Sequence, residues 1–133
     1  MGSRKIRVFV VEDHPGTARA VKGFLSGAGF DVEVAMDMAS ALELAGKIKF
    51  DVLLCDLNLP DGTGWELLAR LREKEPVRAI AFSAFDEPEH VTRSEAAGFV
   101  EHFVKGSPPD DLLTAIRRAA TTTVPSPVAR QPA

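Results

Sequence analysis

IRVFVVEDHP, residues 6–15, is an almost unbroken apolar run that ends in two acids, a histidine and a proline. A run this apolar reads as a strand covered on both faces. Pro15 is placed for the first turn of a helix, and Ala18, Val21, Leu25 and Ala28 follow at helical spacing. Gly27 and Gly29 can end that helix. The stretch is therefore a strand feeding a helix, with Glu12 and Asp13 at the strand tip. Two adjacent carboxylates there repel each other, and need water or a cation.

The same unit recurs four more times. Apolar runs lie at 31–35, 51–55, 77–83 and 99–104. DVEVA (31–35) alternates, which suits a strand near an edge. Asp37 can cap a second helix with Ala41, Leu42, Leu44, Ala45 and Ile48 on its apolar face. Trp65, Leu67, Leu68 and Leu71 mark a third, ended before Pro76. Pro88 opens a weakly apolar fourth, 88–97, which Gly98 closes; Ser107-Pro108-Pro109 opens a fifth, bearing Leu112, Leu113, Ile116 and Ala119. This (βα)5 alternation implies an α/β, doubly wound parallel five-stranded sheet with right-handed crossovers.

At 133 residues with 45% hydrophobic content, the chain supports one globular core. Residues 1–4 read as an N-terminal lead, 5–120 as the domain, and 121–133 as a Pro-rich disordered tail. The net charge of −3 argues against binding nucleic acid by bulk charge. No apolar run is long enough to span a membrane, no signal-peptide pattern is present, and Cys55 is the only cysteine. A cytoplasmic protein without membrane contact is expected.

In such a sheet, ligands bind at the carboxyl ends of the strands. Glu12 and Asp13 follow the first strand, Asp56 the third; Ser83 ends the fourth and Lys105 follows the fifth. Singly, each has an ordinary explanation as a cap, a backbone partner or a solvated charge. Together they place three carboxylates, a hydroxyl and an ammonium at one edge. Carboxylate oxygens with room for water suit Mg2+, or Mn2+. That set is what phosphoryl transfer onto a carboxylate needs, with Asp56 as nucleophile.

VVEDHP, CDLNLPDGTG, AFSA and AAGFVEHFVK, in this order, resemble the receiver domain of two-component response regulators over about residues 5–120. The resemblance implies a flavodoxin-like strand order, 2-1-3-4-5. It implies that Asp56 accepts phosphate from a histidine kinase or histidine phosphotransfer protein. Glu12, Asp13, Asp56 and the backbone carbonyl of Asn58 would hold Mg2+, and Lys105 would pair with Asp56. Ser83 would move onto the phosphoryl group and remodel the face of the fourth helix, fifth strand and fifth helix. Asn58 and Phe85 fall where the family tunes phosphoryl lifetime. Two positions depart from the pattern. His102 stands where the family has its switch aromatic, with an ordinary packing or surface histidine as the alternative. Gly106 follows Lys105 where the family has proline, so a cis peptide is not expected.

VEDHPGTARAV, LPDGTGWELLARLR and AAGFVEHFVK look most like receivers at the C-terminus of hybrid histidine kinases, which adds covalently linked kinase domains as possible partners. Nothing after residue 120 reads as a DNA-binding effector, so no direct nucleic-acid contact is expected. Such a module catalyses its own phosphorylation and dephosphorylation, and is not a metabolic enzyme. Two alternatives remain: a haloacid-dehalogenase-like phosphatase, and a non-phosphorylated pseudo-receiver used for docking. Cys55 is expected to point into the core, and His14 and His90 to sit at the surface.

Overall fold

The computed structural model describes residues 5–84 and 87–124. The lead at 1–4, Phe85 and the tail from 125 lie outside the described residues. The main sheet contains β1 (Arg7–Val11), β2 (Asp31–Ala35), β3 (Val52–Asp56), β6 (Ala79–Ser83) and β7 (Glu101–Val104), all parallel, in the order β2-β1-β3-β6-β7. This is the expected 2-1-3-4-5 order. The extra numbers belong to a hairpin, β4 (Asn58–Leu59) and β5 (Gly62–Thr63), inserted after β3. Two-residue strands carry no periodicity by which the sequence could show them.

Helices fill the connections: α1 (Pro15–Gly27), α2 (Met38–Ala45), α3 (Gly64–Arg72), α4 (Pro88–Ala97) and α5 (Pro109–Ala120). The sheet separates two apolar cores. Val8, Val10, Leu54 and Ile80 face Leu25 of α1 and Ile116 of α5. Phe9, Val11, Leu53 and Ala81 face Ala41 of α2 and Leu67 and Leu68 of α3. Alternate residues of one strand thus serve opposite layers, which is why β1, β3 and β6 are apolar at all but an end residue. The alternating strand β2 lies at an edge, as its pattern implied.

Three of the five helix starts are fixed by a local side-chain cap. His14 caps α1, its Nδ1 accepting from Thr17 N at 3.2 Å. Asp37 caps α2 through Ser40 N at 2.8 Å. Thr63 and Glu66 form a reciprocal capping box at α3. Gly98 ends α4 in the left-handed region, φ 107°, which an L side chain resists.

The fourth helix buries only Ser94. Its attachment is polar and aromatic: Trp65 Nε1 donates to Ser94 Oγ at 3.0 Å, and Arg72 donates to the Ala97 carbonyl at 2.8 Å. The Arg93 guanidinium lies 3.9 Å from the Trp65 ring centroid. His90 lies at the surface, as expected, with 35% of its side chain exposed, and it also stacks on Trp65 at 6.0 Å and pairs with Glu87 at 3.4 Å. A helix with so little apolar surface draws on its ring-bearing residues for packing.

Two glycines have opposite roles. At Gly64 a Cβ would lie 2.5 Å from the Asp56 carbonyl oxygen, so α3 starts there only because no side chain intervenes. At Gly23, exposed within α1, a Cβ would meet nothing within 4 Å. Gly64→Ala is expected to destabilise by about 2 kcal/mol or more through overpacking. Gly23→Ala is expected to stabilise by about 0.5–1 kcal/mol through helix propensity. Urea-denaturation midpoints of the two variants should shift in opposite directions.

Candidate functional site

The carboxyl edge of the sheet gathers the sequence-predicted residues. Glu12 continues the β1 ladder, its N–H donating to the Ala35 carbonyl at 3.0 Å, and is fully buried. Asp13, next along, is exposed. Asp56 is the last residue of β3 and 8% exposed. Ser83 closes β6, buried at 2%, and its carbonyl accepts from Lys105 N at 2.8 Å. That bond sets the base of Lys105 beside β6 as the chain leaves β7.

Lys105 then reaches back across the edge. Its Nζ lies 3.0 Å from Asp56 Oδ2 and 2.7 Å from Glu12 Oε1. Burial alone would lower the pKa of this ammonium. Its bonds to Glu12 and Asp56, with their charges, outweigh burial and hold it above the ordinary 10.5. The pairing with Asp56 was expected; the still closer pairing with Glu12 was not, because an acid pair alone does not show which member turns inward.

The remaining carboxylate oxygens take backbone donors. Asp56 Oδ1 accepts from Asn58 N at 3.0 Å, and Glu12 Oε2 accepts from His14 N at 2.9 Å. One oxygen each of Glu12, Asp13 and Asp56 lies within 4.8 Å of the others. Three hard oxygen donors in that space, one exposed to water, fit a small divalent cation such as Mg2+ or Mn2+.

Cys55 lies in the core beneath the site, where burial first, then the Asp56 and Glu12 charges, push its thiol pKa far above 9.0. Gly106 adopts φ 92°, and no peptide bond among the described residues is cis. The chain thus turns after Lys105 through a left-handed glycine, as the missing proline implied. His102 is half-buried on the edge strand β7 and lines a groove with Glu101, Thr114 and Arg118. The neighbouring Phe103 lines the same groove and stacks on Phe82 at 6.1 Å.

The family model for the response regulator receiver domain matches residues 8–117. The chain belongs to that family. Among curated relatives, this receiver is 33% identical over 117 residues to the nitrate/nitrite response regulator protein NarL of Escherichia coli, covering 85% of this chain and 54% of NarL. It is 32% identical over 127 residues to the KDP operon transcriptional regulatory protein KdpE of Escherichia coli, covering 92% of this chain and 56% of KdpE. The chain thus spans about half the length of the curated relatives it matches. Among solved structures, the chemotaxis response regulator CheY4 of Vibrio cholerae superposes with a TM-score of 0.80 at 30% identity, covering 87% of this chain and 99% of that one. The non-phosphorylated HemR receiver domain from Leptospira biflexa gives 0.81 at 28%, covering 91% and 98%.

Lys105 ties the receiver's stability to pH. A raised folded pKa means its contribution is fully present below 10.5 and is lost as pH rises through the folded value. In Mg2+-free buffer, Lys105→Met is expected to cost about 2 kcal/mol at pH 8, because it leaves buried Glu12 without its cation. The difference between wild type and variant should close as pH rises beyond 10.5, read from denaturant midpoints across an alkaline series.

Proposed function

We propose that residues 5–120 form a phosphoacceptor switch of a two-component phosphorelay, in which Asp56 takes a phosphoryl group from phosphohistidine. The donor would be a histidine kinase or a histidine phosphotransfer protein. The observation that carries this reading is the Asp56 carboxylate, held between Lys105 and the Asn58 N–H beside two further carboxylates.

In the step proposed, an Asp56 carboxylate oxygen forms a bond to phosphorus as the P–N bond to the donor imidazole breaks. The electron pair leaves with the imidazole, and the product is an acyl phosphate. Lys105 follows the negative charge onto the phosphoryl oxygens, and the Ser83 hydroxyl donates a hydrogen bond to one of them. Glu12, Asp13, Asp56 and the Asn58 carbonyl would hold Mg2+, or Mn2+, which when bound supplies charge neutralisation for the incoming phosphate. Hydrolysis of the acyl phosphate resets the switch, at a rate set in part by Asn58 and Phe85. Movement of Ser83 would reach the face of α4, β7 and α5 through His102.

The family match favours this reading over a haloacid-dehalogenase-like phosphatase, and the complete set of acids, hydroxyl and lysine favours it over a docking-only pseudo-receiver. For context, the sequence pattern suggests a receiver joined to a hybrid histidine kinase, with covalently linked kinase domains as partners. The names and lengths of NarL and KdpE support a second reading, a response regulator whose output region lies beyond this chain. Either way, the segment is read as cytoplasmic, without direct contact with nucleic acid or membrane. Among the described residues, no helix is long and apolar enough to cross a membrane.

Intact mass after incubation with acetyl phosphate tests the function. A gain of one phosphoryl group is expected with Mg2+, and none without it or in Asp56→Asn. No gain in wild type with any small donor or histidine kinase sinks the proposal. A second check needs no phosphate. Mg2+ at about ten times its dissociation constant should stabilise the fold by about 1.4 kcal/mol, by linkage. Asp13→Asn should lose most of that increment in a thermal-shift titration.

A further inference from the structure

The segment that follows Asp56 is closed at its base and tied down at its tip. At the base, Asn58 N donates to Asp56 Oδ1 and Gly64 N to the Leu57 carbonyl, each at 3.0 Å. Between them Asn58 pairs with Thr63, and Leu59 with Gly62. At the tip, Asp61 reaches out of the hairpin. Its Oδ1 accepts from Met38 N at 2.7 Å and its Oδ2 from Ala39 N at 2.9 Å. Both donors belong to the first turn of α2, whose N–H groups have no partner within the helix. Gly62 rests on the same helix, where a Cβ would lie 2.6 Å from Met38 Cε.

The start of α2 is thus served by two aspartates with separate donors. Asp37 takes Ser40 N, and Asp61 takes Met38 N and Ala39 N. Those two backbone donors hold the Asp61 carboxyl below its ordinary 3.8, so it stays ionised at neutral pH. Of the two aspartates, it is Asp61 that hydrogen-bonds the hairpin to α2. A ribbon of two residues per strand has little stability of its own, so its position depends on such ties.

We propose that Asp61 is a positioning residue for the chemistry at Asp56: by pinning the hairpin to α2, it keeps the Asn58 N–H on Asp56 Oδ1 and the Asn58 carbonyl beside the carboxylate cluster. This inference rests on the phosphoacceptor reading. A cap alone would stabilise α2 and leave Asp56 untouched.

Asp61→Ala and Asp37→Ala separate the two roles, since each removes a cap from α2 and only the first frees the hairpin. In metal-free protein, Asp61→Ala should speed amide exchange at Asn58 by about tenfold or more while Leu54, in β3, keeps its protection. Its Mg2+ affinity by calorimetry should fall about tenfold, as for other supports of a metal ligand. Phosphorylation from acetyl phosphate should slow with it. Asp37→Ala should leave all three at wild-type values. Asp61→Asn, which keeps one acceptor, should fall between, and carries the same comparison if Asp61→Ala does not fold. Equal behaviour of the Asp61 and Asp37 variants in Asn58 exchange and Mg2+ affinity overturns the inference alone. A wild type that neither binds Mg2+ nor gains phosphate overturns the phosphoacceptor reading, and this inference with it.

Discussion

One ammonium faces three carboxylates at the carboxyl edge of the sheet, and much of the local structure answers to that imbalance. At an effective dielectric of about 20, like charges within 4.8 Å of one another repel by about 3 kcal/mol or more, and a pair at 2.7–3.0 Å attracts by about 6 kcal/mol. The two contacts of Lys105 therefore roughly offset the mutual repulsion of Glu12, Asp13 and Asp56. Buried Glu12 is met by Lys105 on one oxygen and by the His14 N–H on the other. A site so balanced has net negative charge in reserve, which is the condition for drawing in a divalent cation and, with it, an anionic phosphoryl group.

The scaffold converts that electrostatic condition into fixed geometry. Glu12 and Asp56 lie at the ends of adjacent central strands, so their separation is set by the sheet. Lys105 starts from a backbone bond to Ser83, so the ammonium and the hydroxyl come from neighbouring strand ends. Gly64 lies against the Asp56 carbonyl, which joins the start of α3 to the end of β3 without an intervening side chain.

The number and direction of the five sheet strands were legible in the sequence because burial on both faces imposes nearly continuous apolar runs; DVEVA marked an edge by alternating, and the full order came with the family resemblance. The fourth helix, 88–97, was legible from punctuation alone, Pro88 before it and Gly98 after it. Glu12, Asp13, Asp56, Ser83 and Lys105 could be brought to one edge because a parallel sheet puts all its strand ends there. What stayed hidden was carried by single contacts between distant segments. Asp61 lies 22 and 23 positions from the N–H groups it binds, and nothing in its neighbourhood marks it as different from a solvated turn residue. The Glu12–Lys105 pair and the packing of His90 on Trp65 are of the same kind. Each depends on which way a side chain turns, which neither period nor composition records.

The aromatic seam between α3 and α4 has an optical consequence. Trp65 is the only tryptophan, and the chain has no tyrosine. Its indole is bonded to Ser94, stacked on His90 and covered by Arg93. Intrinsic fluorescence therefore follows that seam and no other part of the molecule. Since α4 is seated by polar and ring contacts rather than by a core of its own, emission and far-ultraviolet dichroism need not lose their native signals together. Any gap between the two would measure how independently α4 can lift while the sheet stays intact.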